Sequence, residues 1–520
     1  MQVKFLGPVG EYSDKVAYAT PEEVMDFCQK ERLLGLDIET CRKYKLGVIN
    51  EEIYQGGLDP YLSLICMLQI GNKDIVYVID VRQLDKEYIK ALFVNAKETT
   101  YCGQNLKFEA KFLKHHFDIT LHKIYDIMLC EQVLTNGLGK SKDNPTGLSY
   151  SLEAMAGRYL GIQKKEERDL FTTDEDDADV AYIDKSTRLQ FLSIGNRPFT
   201  ETQILYGADD IIYPLLIREK QLEGREIFKP EWHIYRPLEC FQLENDFCLV
   251  LADIELKGLY FDKEQWLRNY EDNLVIFKRR KEKLNRWVIE HKDLNKFCLS
   301  PDMFNLEKIC RVEWTSSQQV VKLFTHLGFC PKEKSKTTYK LEYTVGAKAL
   351  TKLLPAAYKE KYEMDEETEI QTNEDLILNY LLFKVAEQSC TTFGKDYLKY
   401  IHPITGRLHS TYKQILATSR VSSSNPNLQN LPADEGFRKA FTAPDGYKLI
   451  DCDYSGQESR VLADISGDTS LVDFFNNGHP IHKTDMHCWV ATMMFSLMRK
   501  QPDLIAVSYT HLTLPTILLV

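Results

Sequence analysis

No run of eighteen apolar residues occurs in this 520-residue chain, which excludes a membrane-spanning helix. None of the thirteen cysteines forms a C-x-x-C pair. A zinc ribbon or disulfide scaffold is therefore not expected, and reduced thiols in a cytosol-like compartment are. The opening MQVKFLGPVGEYSDK lacks the apolar stretch and small-residue cleavage site of a secretory signal. Internal repeats and low-complexity tracts are absent too. What is present is ordinary for a globular protein: 44% apolar and 27% charged residues, far from the composition of disorder. At roughly 100–200 residues per domain, the length predicts three or four packed units. A net charge of −11 speaks against a nucleic-acid binder only as a mean, because the excess is uneven. Residues 1–230 carry 29 Lys and Arg against 37 Asp and Glu, and the remainder 36 against 39. Phosphate contacts depend on local clusters, so the total decides little.

The first part alternates strand-like and helix-like text. RLLGLDIET, LSLICMLQI and IVYVIDV read as buried strands, and TPEEVMDFCQ as a helix opened by Thr-Pro with acids in its first turn. That alternation predicts an α/β layer structure with a mixed sheet. Residues 138–150 read as a loop, and DEDDADV from Asp174 as a solvated insertion. From about Leu222 the text turns to long amphipathic helices with a break at Gly258. PKEKSKTTYK follows, where Lys332, Lys334, Lys336 and Lys340 could grip a phosphate backbone; a solubilising surface loop is the plainer reading. RLHSTYKQI and YKLIDCDYSG then read as strand-like runs ending in polar chemistry.

Asp37 and Glu39 close the LLGL strand two residues apart, hence on one face, and paired carboxylates suit hard cations such as Mg²⁺. A surface strand ending in acids is the commoner case. Asn105 and Glu109 in GQNLKFEAKFL, and Tyr206 and Asp210 in YGADDIIYPLL, are each four apart and stack on one face of a helix. In order, this acid pair, Asn-to-acid and Tyr-to-acid pattern resembles the DEDD 3′→5′ exonucleases of the tyrosine-bearing kind, over roughly residues 1–220. The resemblance implies an RNase H-like mixed sheet with flanking helices. It also implies two divalent ions on Asp37, Glu39 and Asp210, a water oriented by Tyr206, and a terminal nucleotide placed by Thr40 and Asn105. Glu109 departs from the pattern, which has Asp there. The extra methylene displaces the carboxylate, so nuclease activity is expected to be retained but reduced.

TSRVSSSNPNLQNLP from Thr418 would alone be a polar loop. With DCDYSGQESRVLADISGD downstream, it resembles the TGRLSSxxPNLQNIP segment and motif A (DYSQIELR) of family A DNA polymerases, the DNA polymerase I family. Ser419 replaces a Gly of the first segment, and Gly456, Gln457 and Ser459 replace the Gln, Ile and Leu of the second. GHPIHKTDMHCWVA resembles a further segment of that family around His482, and LENDFCLVLADIELKGLYFD its thumb-opening helix and turn at Glu255, Gly258 and Asp262. The resemblance implies that Arg420, Asn427 and Gln429 check the primer-terminal pair in the minor groove, where both pair types present acceptors. It implies that Asp453, with the Tyr454 carbonyl, ligates metal for dNTP transfer, that Glu458 disfavours ribonucleotides, and that His482 meets the triphosphate. Arg460 would support motif A or form a structural ion pair.

Motifs B and C of that family have no counterpart here, and the charge-free LIAVSYTHLTLPTILLV resembles translated sequencing adapter from Val507. The expected organisation is an α/β exonuclease domain (1–225), a helical thumb and connecting region (226–400), a partial α+β palm with the start of the fingers (401–506) and a non-native tail (507–520). Such a fragment of a DNA replication or repair polymerase, phage-like in its exonuclease-first layout, would trim 3′ ends without templated synthesis. Expected cofactors are Mg²⁺, two per site, with Mn²⁺ able to substitute. Expected partners are DNA primer–template, single-stranded 3′ ends and, for the full-length parent, dNTPs, in a bacterial or phage-infected cytoplasm with no membrane. Two alternatives remain: a stand-alone 3′→5′ exonuclease, and a non-catalytic primer–template binding module.

Overall fold

The computed structural model describes residues 1–43, 57–135, 138–140, 144, 146–162, 191–192, 194–224, 237–300, 307–335, 340–416, 418, 420–432, 435–478 and 485–499. His482, Lys336, the DEDDADV segment and the tail from Val507 lie outside them. The chain forms two compact units, Met1–Ala443 and Pro444–Val520.

Seven strands make one mixed sheet in the first unit: β1 (Gln2–Leu6), β2 (Val16–Tyr18), β3 (Leu33–Arg42), β4 (Ser63–Gly71), β5 (Ile75–Asp80), β6 (Thr100–Gly103) and β7 (Ile124–Asp126), in the order β2-β1-β5-β4-β3-β6-β7. β4 runs antiparallel to β3 and β5, and the other pairings are parallel. The three strands read from the sequence are β3, β4 and β5. Helix α1 (Pro21–Lys30) begins where expected: the Thr20 hydroxyl accepts the Glu23 N–H at 3.3 Å, Pro21 presets the first turn, and Val24 and Cys28 are buried one turn apart.

Alternation along β3 sends its side chains to two different cores. Leu34, Leu36 and Ile38 pack with α1, α2 (Lys86–Leu92) and α3 (Lys107–Phe117). Gly35, Asp37, Glu39 and Cys41 face the opposite layer, built from α4 (Ile127–Thr135), α5 (Leu152–Leu160) and the long α6 (Glu201–Gly224). Next comes α7 (Pro237–Lys257), which buries Phe241 in one of these cores and Cys248 and Ala252 in the other. Gly258 breaks the helical text at φ +61°, a backbone conformation open to glycine, and a Cβ there would lie 2.8 Å from the His409 ring. Asp262 then caps α8 (Lys263–Glu290).

A third core joins α8 with α9 (Ser317–His326) and α10 (Asn373–Thr391) around Trp314, Phe324 and Tyr380. A fourth surrounds Trp266, with Phe393, Tyr397 and Phe437. Lys332–Lys334 and Leu341–Tyr343 form a small antiparallel ribbon. In the second unit, α11 (Gln457–Ser466) is followed by α12 (Thr469–Asn477) and α13 (Met486–Arg499), with Phe474 stacked on Trp489 at 4.6 Å. The strand expected at YKLIDCDYSG does not form: 447–454 has no strand partner among the described residues, and Tyr447 and Ile450 are 77% and 80% exposed. All thirteen cysteines are free, and no helix among the described residues is long and apolar enough to cross a membrane.

Candidate active site

Asp37 and Glu39 project from β3 towards α6, and Asp210 descends from α6 to meet them. Ligand atoms of these three half-buried carboxylates lie within 4.8 Å of one another, the one such cluster among the described residues. Two glycines allow the approach. A Cβ on Gly35 would sit 2.5 Å from Ile211 Cγ2, and one on Gly207 2.7 Å from Nε2 of Gln69, the residue paired with Asp37 across the sheet. Opposite Glu39 the register slips: Glu39 pairs with Met67 but Thr40 with Ile65, leaving Cys66 as an extra residue whose thiol donates to the Glu39 carbonyl at 3.3 Å. Such a bulge turns the strand where the acids must converge. Tyr206 lies one turn before Asp210, half-buried, with its ring 6.4 Å from that of Phe191.

Three negative groups this close repel one another, and a divalent cation relieves that repulsion. Oxygen-only donors at a strand end suit a hard ion. Glu109, in the first turn of α3, is only 3% exposed, and its Oε2 has no hydrogen-bond partner among the described residues. Burial first, and then Asp37, push its carboxyl well above the usual carboxylate range. It therefore adjoins the three-acid cluster without belonging to it. Asn105 is exposed at φ +60° in the turn before α3. Thr40 is buried and donates its hydroxyl to the Gly57 carbonyl at 2.8 Å.

Behind this turn stand Asp126, which the sequence did not single out, and Glu255, expected only at the end of a thumb-opening helix. Asp126, buried at the end of β7, accepts the Leu106 N–H at 2.9 Å through one oxygen and the Met128 N–H at 2.9 Å through the other. Burial pushes its carboxyl up to about 6 despite these bonds. Glu255 of α7 pairs with Lys107 and Lys111 of α3, each at 2.7 Å, and accepts the Tyr412 N–H at 2.8 Å. Burial disfavours its charge, but Lys111 and Lys107 outweigh that and hold its carboxyl below the usual range. A carboxylate directly after the β-like IY of β7 was the available signal for Asp126.

A second set of expected residues lies beside the ribbon Thr411–Lys413/Ser422–Ser424. Arg420 is exposed. Asn427 accepts the Gln429 N–H at 3.0 Å and the Asn430 N–H at 3.2 Å, while Gln429 accepts the Ser423 N–H at 2.7 Å and donates to the Val421 carbonyl at 3.0 Å. Both amides thus brace their own loop. In the second unit, Asp453, Tyr454 and Glu458 are exposed, Glu458 in the first turn of α11. Arg460 donates to the Ser455 carbonyl at 2.8 Å and lies 4.7 Å above the Phe475 ring, an arrangement that supports the segment just after Asp453.

Residues 19–223 match the family model described as 3′-5′ exonuclease. Residues 298–503 match that of DNA polymerase family A, and the two matches together support a family A polymerase with an exonuclease domain. Among curated relatives, DNA polymerase I of Chloroflexus aurantiacus is 31% identical over 287 residues, 53% of this chain and 26% of that protein. The thermostable DNA polymerase I of Thermus aquaticus is 44% identical over 108 residues, 20% of this chain and 12% of the relative. The chain thus matches about a quarter or less of these relatives' length. The solved POL domain of Pol1 from M. smegmatis, in complex with DNA primer-template and dNTP, shares the fold at a TM-score of 0.58 and 19% identity, over 95% of this chain and 67% of that one.

Proposed function

We propose that this chain removes nucleotides from DNA 3′ ends by hydrolysis, the proofreading activity of a family A polymerase. The observation that carries the reading is the convergence of Asp37, Glu39 and Asp210. These carboxylates would hold two Mg²⁺ ions, or Mn²⁺ in their place. When bound, the metal supplies acidification of the attacking water and stabilisation of the leaving 3′ oxygen. Tyr206 orients that water from the turn before Asp210. Asn105, exposed ahead of α3, meets the terminal nucleotide, and Thr40 supports it from behind by fixing the backbone at Gly57. Glu109 lies buried beside the cluster, where burial and then Asp37 push its carboxyl above the usual carboxylate range.

Arg420 would read the primer-terminal pair in the minor groove, on a loop kept in shape by Asn427 and Gln429. Asp453 and the Tyr454 carbonyl would serve metal in dNTP transfer, with Glu458 against the sugar, Arg460 behind them and His482 at the triphosphate. DNA primer–template and dNTPs are the partners on this reading, and the cytoplasm the compartment. The test is a labelled primer on a duplex with a 3′ overhang, incubated with Mg²⁺ and dNTPs. Stepwise shortening is expected, and Asp37→Ala should slow it by at least about 10³-fold. Binding without any change in length would instead favour a primer–template binding module.

A further inference from the structure

Helix α7 lies between the stretches matched by the two family models, 19–223 and 298–503, yet it bonds the residue that holds the turn carrying Asn105. β7 is an edge strand of the sheet, so an N–H on its outer side has no strand partner. At Asp126 that N–H donates to the Asn245 side-chain oxygen of α7 at 2.7 Å. The Asn245 amide nitrogen donates in turn to the Phe241 carbonyl at 2.7 Å, which orients the group, and Asn245 is only 3% exposed. The Asp126 carboxylate then serves as the N-terminal cap that Leu106 cannot give α3, and it bonds the opening turn of α4 as well. Asn105, at φ +60°, keeps its left-handed conformation because its neighbour is held from behind. Ten residues along α7, Glu255 secures Lys107 and Lys111 on the body of α3.

We propose that α7 is a working part of the exonuclease site, with Asn245 a positioning residue that acts through Asp126 on the nucleotide-binding turn at Asn105. The proposal rests on the exonuclease reading above and extends the site beyond the segment that its family model matches. A displaced turn should weaken capture of the 3′ end more than the cleavage step, since the three metal-facing acids stand on β3 and α6.

The experiment uses the full chain and a 5′-labelled single-stranded oligonucleotide with Mg²⁺, measuring kcat and KM for wild type, Asn245→Ala and Leu251→Ala. Leu251 is 2% exposed on the same helix and controls for general destabilisation. Asn245→Ala should raise KM about ten-fold with kcat changed less than about two-fold. Leu251→Ala should lower the melting temperature with KM unchanged at temperatures where it remains folded. If Asn245→Ser, which keeps a small acceptor, shows a smaller rise in KM than Asn245→Ala, the hydrogen bond itself is implicated. An unchanged KM in Asn245→Ala, or losses that follow melting temperature equally in both variants, would overturn the proposal while leaving an active wild type and the exonuclease reading intact. A wild type that leaves the oligonucleotide whole would sink both.

Discussion

LLGLDIET and YKLIDCDYSG read alike, each an apolar run that ends in acids, yet the chain treats them differently. In the first, Leu34 and Leu36 are 1% exposed inside a seven-stranded sheet, and Asp37 and Glu39 are met by a third carboxylate. In the second, Leu449 and Ile450 are 57% and 80% exposed, and no acidic cluster includes Asp453 among the described residues. An apolar run specifies a strand only when neighbouring strands and a covering helix bury it. Carboxylates form a metal site only when such packing holds them together against their repulsion.

The sharpest way to break this contrast is at the chemistry of the first site. Tyr206→Phe removes only a hydroxyl and should slow 3′ trimming about 10²-fold with folding intact, measured by single-turnover kinetics. A rate equal to wild type would remove Tyr206 from the mechanism. Packing comes next. Gly35→Ala forces a methyl group against Ile211, one residue from Asp210, and should cost about 1–3 kcal/mol in chemical denaturation as well as slow trimming. If stability is unchanged, close approach of α6 is not what assembles the acids.

A smaller effect is expected where α7 meets α3. Glu255 has its folded pKa below the ordinary 4.5, so its charge favours the folded state. That contribution is complete above pH 4.5 and is lost as pH falls through the depressed folded value. Glu255→Gln should therefore melt below wild type near pH 6, and the gap should narrow under acid; a gap independent of pH would contradict the ionic role of Glu255. The smallest effect is expected in the second region. Asp453→Ala should change stability by less than about 0.5 kcal/mol and leave trimming untouched, because the side chain is exposed. A marked loss of trimming would tie Asp453 to the first site.

Much of the first region was legible in advance because its signals are local. The apolar run LLGL gives β3, Thr20 and Pro21 mark α1, and the four-residue spacing of Tyr206 and Asp210 puts both on one helix. What escaped depends on distant partners. Nothing near Asp126 in the chain announces Asn245, and nothing near Lys107 announces Glu255, since those bonds form only when α7 packs across the sheet edge. The polar residues of SSSNPNLQN suggested groups facing a ligand, but not that Asn427 and Gln429 also bond their own loop's backbone, for which short polar side chains are suited. Glu109 was legible as an acid near the site, but its burial was not, because it follows from how α3 enters the core.

The most direct test of the account is anomalous diffraction from crystals of the chain soaked in Mn²⁺, phased and inspected at the β3–α6 junction. Manganese peaks are expected among the carboxylates of Asp37, Glu39 and Asp210, and are expected to vanish in Asp37→Ala. A chain that trims DNA 3′ ends while showing no peak there would contradict it.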